Sequence, residues 1–219
     1  MTASTRSTYH HGNLAEALLD AGEIVLAERG AHDLTLRECA RRAGVSHAAP
    51  NHHFGGKATF LSHLAERGYR RLAAALTDAL DAVDPAALDA RLLANAEAYV
   101  GFARRQPELF RLMFRYDLLD RDSAGLEAAA IDTFVVLTNV IRSQRGEPPV
   151  AASELKLLKA LPALREDVML GWSHIHGFAH LLIEGQFGAM MDGKEDAFVH
   201  QALVGTLPRL GQTIRTLPL

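Results

Sequence analysis

Apolar residues recur at every third or fourth position along most of this chain, and strand-like alternation is absent. That spacing matches a helical turn of about 3.6 residues, so the expected fold class is all-α. Leu14, Leu18, Ala21, Val25 and Leu26 form one stripe. It predicts a first helix from Asn13, which can cap it with Glu16 three residues on, to Gly30. A short second helix starts at Thr35, where Thr35 and Glu38 have capping-box spacing, with Leu36, Cys39, Ala40 and Ala43 on its inner face. Gly44 supplies the left-handed stop. Ser46 then caps a third helix that runs to about His53, with Phe54 closing it. Gly55 and Gly56 break the chain before a long helix from Lys57 to about Leu80.

Later breaks are as clear. Pro85 and Pro107 stand where helices can begin. The loops "LDRDS" and "RGEPPVAAS" bracket a helix from about Ser123 to Arg145. A long segment from Ser153 to Gln186 carries Pro162, which kinks or splits it. "DGKED" is a turn, and a last helix runs from about Ala197 to Thr216. The total is about nine helices. The expected division is a three-helix N-terminal domain over residues 1–60 and a larger helical domain over 61–219.

Composition narrows the class. With 48% hydrophobic and 22% charged residues the chain has enough apolar matter for a real core, which excludes the disordered class. The single cysteine, Cys39, allows no internal disulfide and suits a reducing cytoplasm. "MTASTRSTYHHGN" lacks the apolar core of a secretory signal, and no uncharged apolar run nears the roughly 18 residues of a span, so no membrane association is expected. The net charge of −3 is uneven. Between Thr35 and Lys57, Arg37, Arg41, Arg42 and Lys57 stand against Glu38 alone, a net of +3. A modest, concentrated positive charge points to a local anionic contact.

That contact coincides with the two short helices joined by Gly44-Val45-Ser46, which have the form of a helix-turn-helix. The third helix has little apolar surface to bury. Ala48 and Ala49 are small, while His47, Asn51, His52 and His53 offer hydrogen-bonding groups, as a helix lying in a major groove requires. Its positive N-terminal end and Ser46 suit a phosphate.

The stretch "TLRECARRAGVSHAAPNHHFGGKATFL" resembles the DNA-binding region of the TetR (tetracycline-repressor-like) transcription regulators. The resemblance rests on Thr35, Ala40, Ala43 to Ser46, His53-Phe54 and Lys57, and covers about residues 13–65. "YVGFARRQPELFRLMF" and "GWSHIHGFAHLLIEGQF" resemble a branch of that family whose effector domain carries a Trp…His-Gly signature. The resemblance implies that Thr35 and Arg37 touch phosphate, and that Ser46, His47 and Ala48 contact bases. It further implies that Asn51 and His53 meet the backbone or steady the helix, and that Lys57 clamps a phosphate. The family usually has Tyr or Phe where this chain has Asn51, which can instead reach a phosphate or an adenine edge. Arg41 and Arg42 read as a solvated face. The arm with Arg6, His10 and His11 either follows DNA or is disordered.

The rest of the chain offers three further readings. Phe102, Phe110, Met113 and Phe114, with Phe134, Leu137, Met169, Trp172 and His176, form either a plain core or the walls of a pocket for a small, mostly apolar effector. His176, His180 and Glu184 share a helical face at a spacing of four, a workable metal ladder, although packing is the favoured role. The last two helices are apolar on more than one face, with small residues at Gly171, Gly177, Ala179, Gly185 and Gly188. They therefore suit a homodimer built as a four-helix interface. Cys39 sits at a core position. No Gly-x-Ser-x-Gly, phosphate-cradling loop or paired carboxylates stand out, so neither catalysis nor a cofactor is expected. The partners expected are a palindromic double-stranded operator, a small effector and a second copy of the chain.

Overall fold

A computed structural model describes residues 11–155, 162–191 and 193–216. Among the described residues there are ten α-helices and no strand. They are α1 (His11–Asp33), α2 (Leu36–Arg42), α3 (Ala49–Phe54), α4 (Lys57–Asp81), α5 (Leu88–Arg105), α6 (Pro107–Met113) and α7 (Ala124–Gln144). A 3₁₀ turn (Ala152–Glu154) precedes α8 (Pro162–Ile183), α9 (Gly188–Met191) and α10 (Glu195–Thr216). The all-α expectation holds. Arg6 and His10 of the arm lie outside the described residues.

Two compact units divide the chain. The first holds the residues up to Glu66 together with Glu108–Leu126. Its core is built on Leu18, Val25, Leu26, Leu34, Phe60, Leu61 and Leu64. Gly22 allows α1 to approach α4, since a Cβ there would stand 2.6 Å from Phe60 Cζ. The helix α1 begins two residues before Asn13, so that residue lies within the helix and not at its cap position. The expected stop at Gly30 is a break within α1: its φ of 72° and ψ of 171° are non-helical, and the helix resumes to Asp33.

The segment 108–126 joins this unit although the sequence reading set it beyond residue 60. Polar contacts explain the attachment. Thr59 Oγ1 donates to Asp120 Oδ2 at 3.1 Å, and the Asp120 amide donates to Ser62 Oγ at 2.8 Å. Glu108 lies beside Gly30, and Glu66 beside Gly125. None of these pairs shows in a local pattern.

The second unit holds Arg67–Pro107 and the described residues from Glu127 on. There α5 packs on both α8 and α10. Gly171 allows α8 to approach α7, because a Cβ there would stand 2.8 Å from Ile141 Cδ1. By length and composition α7 is apolar enough to cross a membrane. Within this unit its C-terminal half packs into the core: Leu137, Thr138, Val140, Ile141, Arg142 and Gln144 are buried. Thr133 Oγ1 donates to the Tyr69 carbonyl at 3.0 Å. The loop after α7 is fastened by Arg142 Nε to the Pro148 carbonyl (2.7 Å) and by Asn139 to both polar groups of Val150 (3.0 and 2.8 Å). Pro162 opens α8, as a residue without an amide hydrogen can do at the first helical position.

Candidate functional site

The helix-turn-helix is set by one turn and two helix ends. Thr35, at φ −121° and ψ 141°, starts α2, and its Oγ1 accepts from the Glu38 amide at 3.3 Å. The Glu38 carboxylate faces Arg41 (2.8 and 2.7 Å) and Arg42 (3.0 Å), so the Thr35 side of the capping box is the half that forms. At the other end Gly44 takes φ 68°. The Val45 amide reaches back to the Ala40 carbonyl (3.0 Å) and the Gly44 amide to that of Arg41 (3.3 Å), the paired bonds of a Schellman stop.

The third helix departs from expectation at its start. Ser46 does not cap it. The Ser46 carbonyl accepts from the Ala49 amide at 3.0 Å in a turn, and α3 begins at Ala49 with Ala48 as N-cap and no side-chain cap. The reason is Pro50, which falls in the first turn of the helix, where its missing amide costs no intrahelical bond. Gly55, at φ 73°, ends α3.

This geometry separates two faces. Pro50 and Phe54 are buried, and Phe54 meets Phe60 edge-on with ring centres 5.0 Å apart. Thr35, Arg37, Ser46, His47, Ala48, Asn51 and His52 are exposed. His53 is half-buried, its ring 6.4 Å from that of Phe54. Lys57 opens α4 and donates from Nζ to the His32 carbonyl at 2.9 Å, which ties its ammonium to the last turn of α1. An ammonium has three N–H donors, so this bond leaves it able to donate again.

Arg41 and Arg42 belong to an ion-pair network. Arg42 pairs with Glu28 and, at 3.0 Å, with Glu38, which also takes Arg41 at 2.7 Å. Hydrogen bonds from Arg41 and then Arg42 hold the Glu38 carboxyl down at about 2. Bonds to Glu28 and then Glu38 push the Arg42 guanidinium up. Cys39 is fully buried, and burial pushes its thiol up to about 11, which keeps it protonated and unreactive.

The nine residues read as pocket walls divide between the units. Phe110, Met113 and Phe114 fall in the first, with Phe110 and Phe114 ring centres 5.1 Å apart. Phe102, Phe134, Leu137, Met169, Trp172 and His176 fall in the second. There Phe134 meets Trp172 edge-on at 5.9 Å, and Trp172 lies 5.5 Å from His176. Phe102 and Leu137 are buried, Phe134, Trp172 and His176 are half-buried, and Met169 is 49% exposed.

Sequence reasoning missed Tyr99, whose hydroxyl lies 2.8 Å from His176 Nδ1. Burial pushes that hydroxyl up, and a hydrogen bond with Trp172 acts the other way. Burial first, and the neighbouring His180 second, hold the His176 imidazole down at about 4, so it is neutral at pH 7. Among the described residues no three His, Cys, Asp or Glu side chains lie together as a metal-ligating group. His176 and His180 stand edge to face at 4.5 Å, and Glu184 lies exposed beyond the end of α8, where Gly185 takes φ 71°.

An exposed, polar short helix after a Gly-stopped turn has the form of a DNA-binding helix-turn-helix. The family model "Bacterial regulatory proteins, tetR family" matches residues 18–64, and "Tetracyclin repressor-like, C-terminal domain" matches 92–205. The chain belongs to the TetR family of DNA-binding transcription regulators.

Among solved structures, the chain is similar to a protein of unknown function from Rhodococcus sp. RHA1, at 29% identity and a TM-score of 0.72 over 95% of this chain and 98% of that one. It shares the fold of the TetR family transcriptional regulator PfmR from Thermus thermophilus, at 18% identity and a TM-score of 0.54 over 89% and 97%. It also shares that of the fatty acid degradation regulator FadR from Bacillus halodurans, at 14% identity and a TM-score of 0.60 over 94% and 96%. No curated protein matches the chain.

Proposed function

We propose that this chain works as a homodimer that represses transcription from a palindromic operator and is released by a small, mostly apolar effector. The observation that carries the reading is the exposed α2–α3 face. Ser46, His47, Ala48 and Asn51 point outward there, while Pro50 and Phe54 anchor the helix from behind. Ala48 lets the helix approach closely, His47 and Asn51 address base edges, and Thr35, Arg37, His53 and Lys57 hold the flanking backbone. The operator-binding domain spans residues 1–60 and the effector and dimerisation domain 61–219.

Dimerisation has a surface suited to it. On α8, Leu170 (41%) and Leu181 (47%) are exposed, and on α10 Val204 (44%) is exposed. Gly177 and Gly205 have open space where a Cβ would stand, so a partner helix can come close. Gly171 and Ala179 of the expected interface serve the core instead: Gly171 faces Ile141 and Ala179 is buried, as are Ile175 and Leu182 on the same helix. Two copies related by a twofold axis would set their recognition helices about 34–36 Å apart.

The effector site is the aromatic cluster of Phe134, Trp172 and His176. The link between the two functions is α4, one continuous helix that starts at Lys57 in the operator-binding part and ends at Asp81. A ligand that binds one arrangement of these helices better shifts the population of dimers able to span the operator. The protein acts by binding, not by catalysis. A gel-shift titration with DNA flanking its own gene tests the reading: saturable retardation relieved by effector supports it, and unchanged affinity with effector bound refutes the coupling.

A further inference from the structure

The buried face of α5 carries one polar group with an unmet need. Asn95 is 4% exposed, and its side-chain nitrogen has no hydrogen-bond partner. Burying a donor without an acceptor is costly, and such groups are rare in native cores. Asn95 stands one helical turn before Tyr99, so the two share a face of α5.

Tyr99 belongs to a short polar chain. Its hydroxyl is hydrogen-bonded to Trp172 and lies 2.8 Å from His176 Nδ1. An indole N–H can only donate, so the hydroxyl oxygen accepts from Trp172 and sends its own proton to Nδ1. That fixes His176 as the neutral tautomer with its proton on Nε2. Trp172, bonded to that hydroxyl, and Phe134 beside it are both half-buried although large apolar rings are ordinarily covered.

Charge decides what such a site accepts. Four arginines on or beside these helices are engaged, while Arg105 of α5 and Arg165 of α8 are exposed. Arg91 donates to the carbonyls of Leu80 (3.0 Å) and Val83 (3.3 Å), and Arg104 pairs with Glu195 (2.7 Å) and Asp196 (2.8 Å). Arg142 holds Glu147 at 2.9 Å, and Arg145 pairs with the buried Asp167. A carboxylate entering the cluster would lose its hydration and meet a neutral imidazole. A neutral oxygen would satisfy the Asn95 donor without that penalty.

We propose that the cluster of α5, α7 and α8 takes an uncharged, mostly apolar molecule through one oxygen acceptor, a ketone, aldehyde or ester carbonyl that hydrogen-bonds the Asn95 side-chain amide. This rests on the effector reading above and gives that effector a chemical class. The ring walls supply affinity, and the Asn95 donor selects the acceptor.

Trp172 is the only tryptophan, so its emission reports on this cluster alone. The full chain is titrated at pH 7.5 with 2-undecanone, methyl decanoate and decanoate. The ketone and the ester should change Trp172 emission saturably, with decanoate at least tenfold weaker. Asn95→Leu, of similar volume, should melt at or above the parent temperature and lose at least fivefold in affinity for the ketone. Asn95→Val repeats the test if leucine overfills the site. Tighter binding of decanoate than of the ketone, or equal ketone affinity in the folded variants, overturns the inference and leaves the effector reading standing. If none of the three probes changes the emission, the effector reading itself falls and the inference with it.

Discussion

The Tyr99 hydroxyl and His176 Nδ1 lie 2.8 Å apart and tie α5 to α8 across the interior of the second unit. The bond needs a neutral imidazole that accepts at Nδ1, and burial keeps His176 in that form by holding it at about 4. Trp172 lies beside the same ring, with centres 5.5 Å apart.

A pH dependence follows from His176. Its ordinary value of 6.5 applies to the unfolded chain, and the folded value is about 4. Between these the unfolded chain takes up a proton that the folded chain refuses. The stability held above pH 6.5 therefore declines as pH falls and levels off below about 4. Melting temperatures at pH 7.5 and 4.5 should differ less for His176→Gln than for the parent. His174, which burial also holds down, leaves part of the drop in place. Equal drops for the two proteins would contradict the assignment.

The proposed operator contacts separate the basic residues. Arg41 and Arg42 are already paired with Glu38 and Glu28, whereas Lys57 is bonded to a carbonyl. Lys57→Ala should weaken binding to every duplex and reduce the slope of log affinity against log salt by about 1. Arg41→Ala should leave that slope near its parent value. Fluorescence anisotropy across a salt series measures both, and identical slopes for the parent and Lys57→Ala would remove lysine from the phosphate contacts.

Gly22 is fixed by packing. A methyl group there would stand 2.6 Å from Phe60 Cζ and 2.8 Å from Cε1, between α1 and α4. Gly22→Ala should cost about 1–3 kcal/mol, the usual range for overpacking a core. Urea unfolding measures it, and a stability equal to the parent would show that the ring moves aside freely.

Much of this architecture was legible in local sequence. The Gly44 stop, the Lys57 start of α4 and the Pro107 start of α6 are set by neighbouring residues, and each stands where its pattern put it. The failures have physical causes. Pro50 sets the start of α3 and displaces Ser46 from the cap. Glu38 is drawn from the capping box by Arg41 and Arg42, while Arg42 also reaches Glu28 fourteen residues away. The ladder of His176, His180 and Glu184 rests on spacing alone, and among the described residues no three such side chains lie together as a metal-ligating group. Tyr99 and Asn95 carried a weaker signal, since Asn95 interrupts the apolar stripe of Leu92, Ala96 and Val100. That Tyr99 meets His176 on another helix does not show in α5 alone.

The dimer surface can be tested by charge. Leu181 is exposed on α8 within one protomer, so Leu181→Glu should leave monomer folding nearly unchanged. In a tight four-helix interface the same carboxylate would be buried without a partner. Light scattering should therefore report a monomer for Leu181→Glu and a dimer for the parent, with operator affinity lost in parallel. A variant that stays dimeric would move the interface elsewhere.

The most direct measurement of the central claim is an anisotropy titration of duplex DNA from the region beside the protein's own gene, comparing the parent with Ala48→Glu. Ala48 is exposed at the N-cap of α3. A carboxylate there should repel phosphate and block close approach while leaving the melting temperature within about 1 °C, as surface changes usually do. The account predicts saturable binding by the parent and at least a hundredfold loss in the variant. Equal binding by both proteins would contradict it.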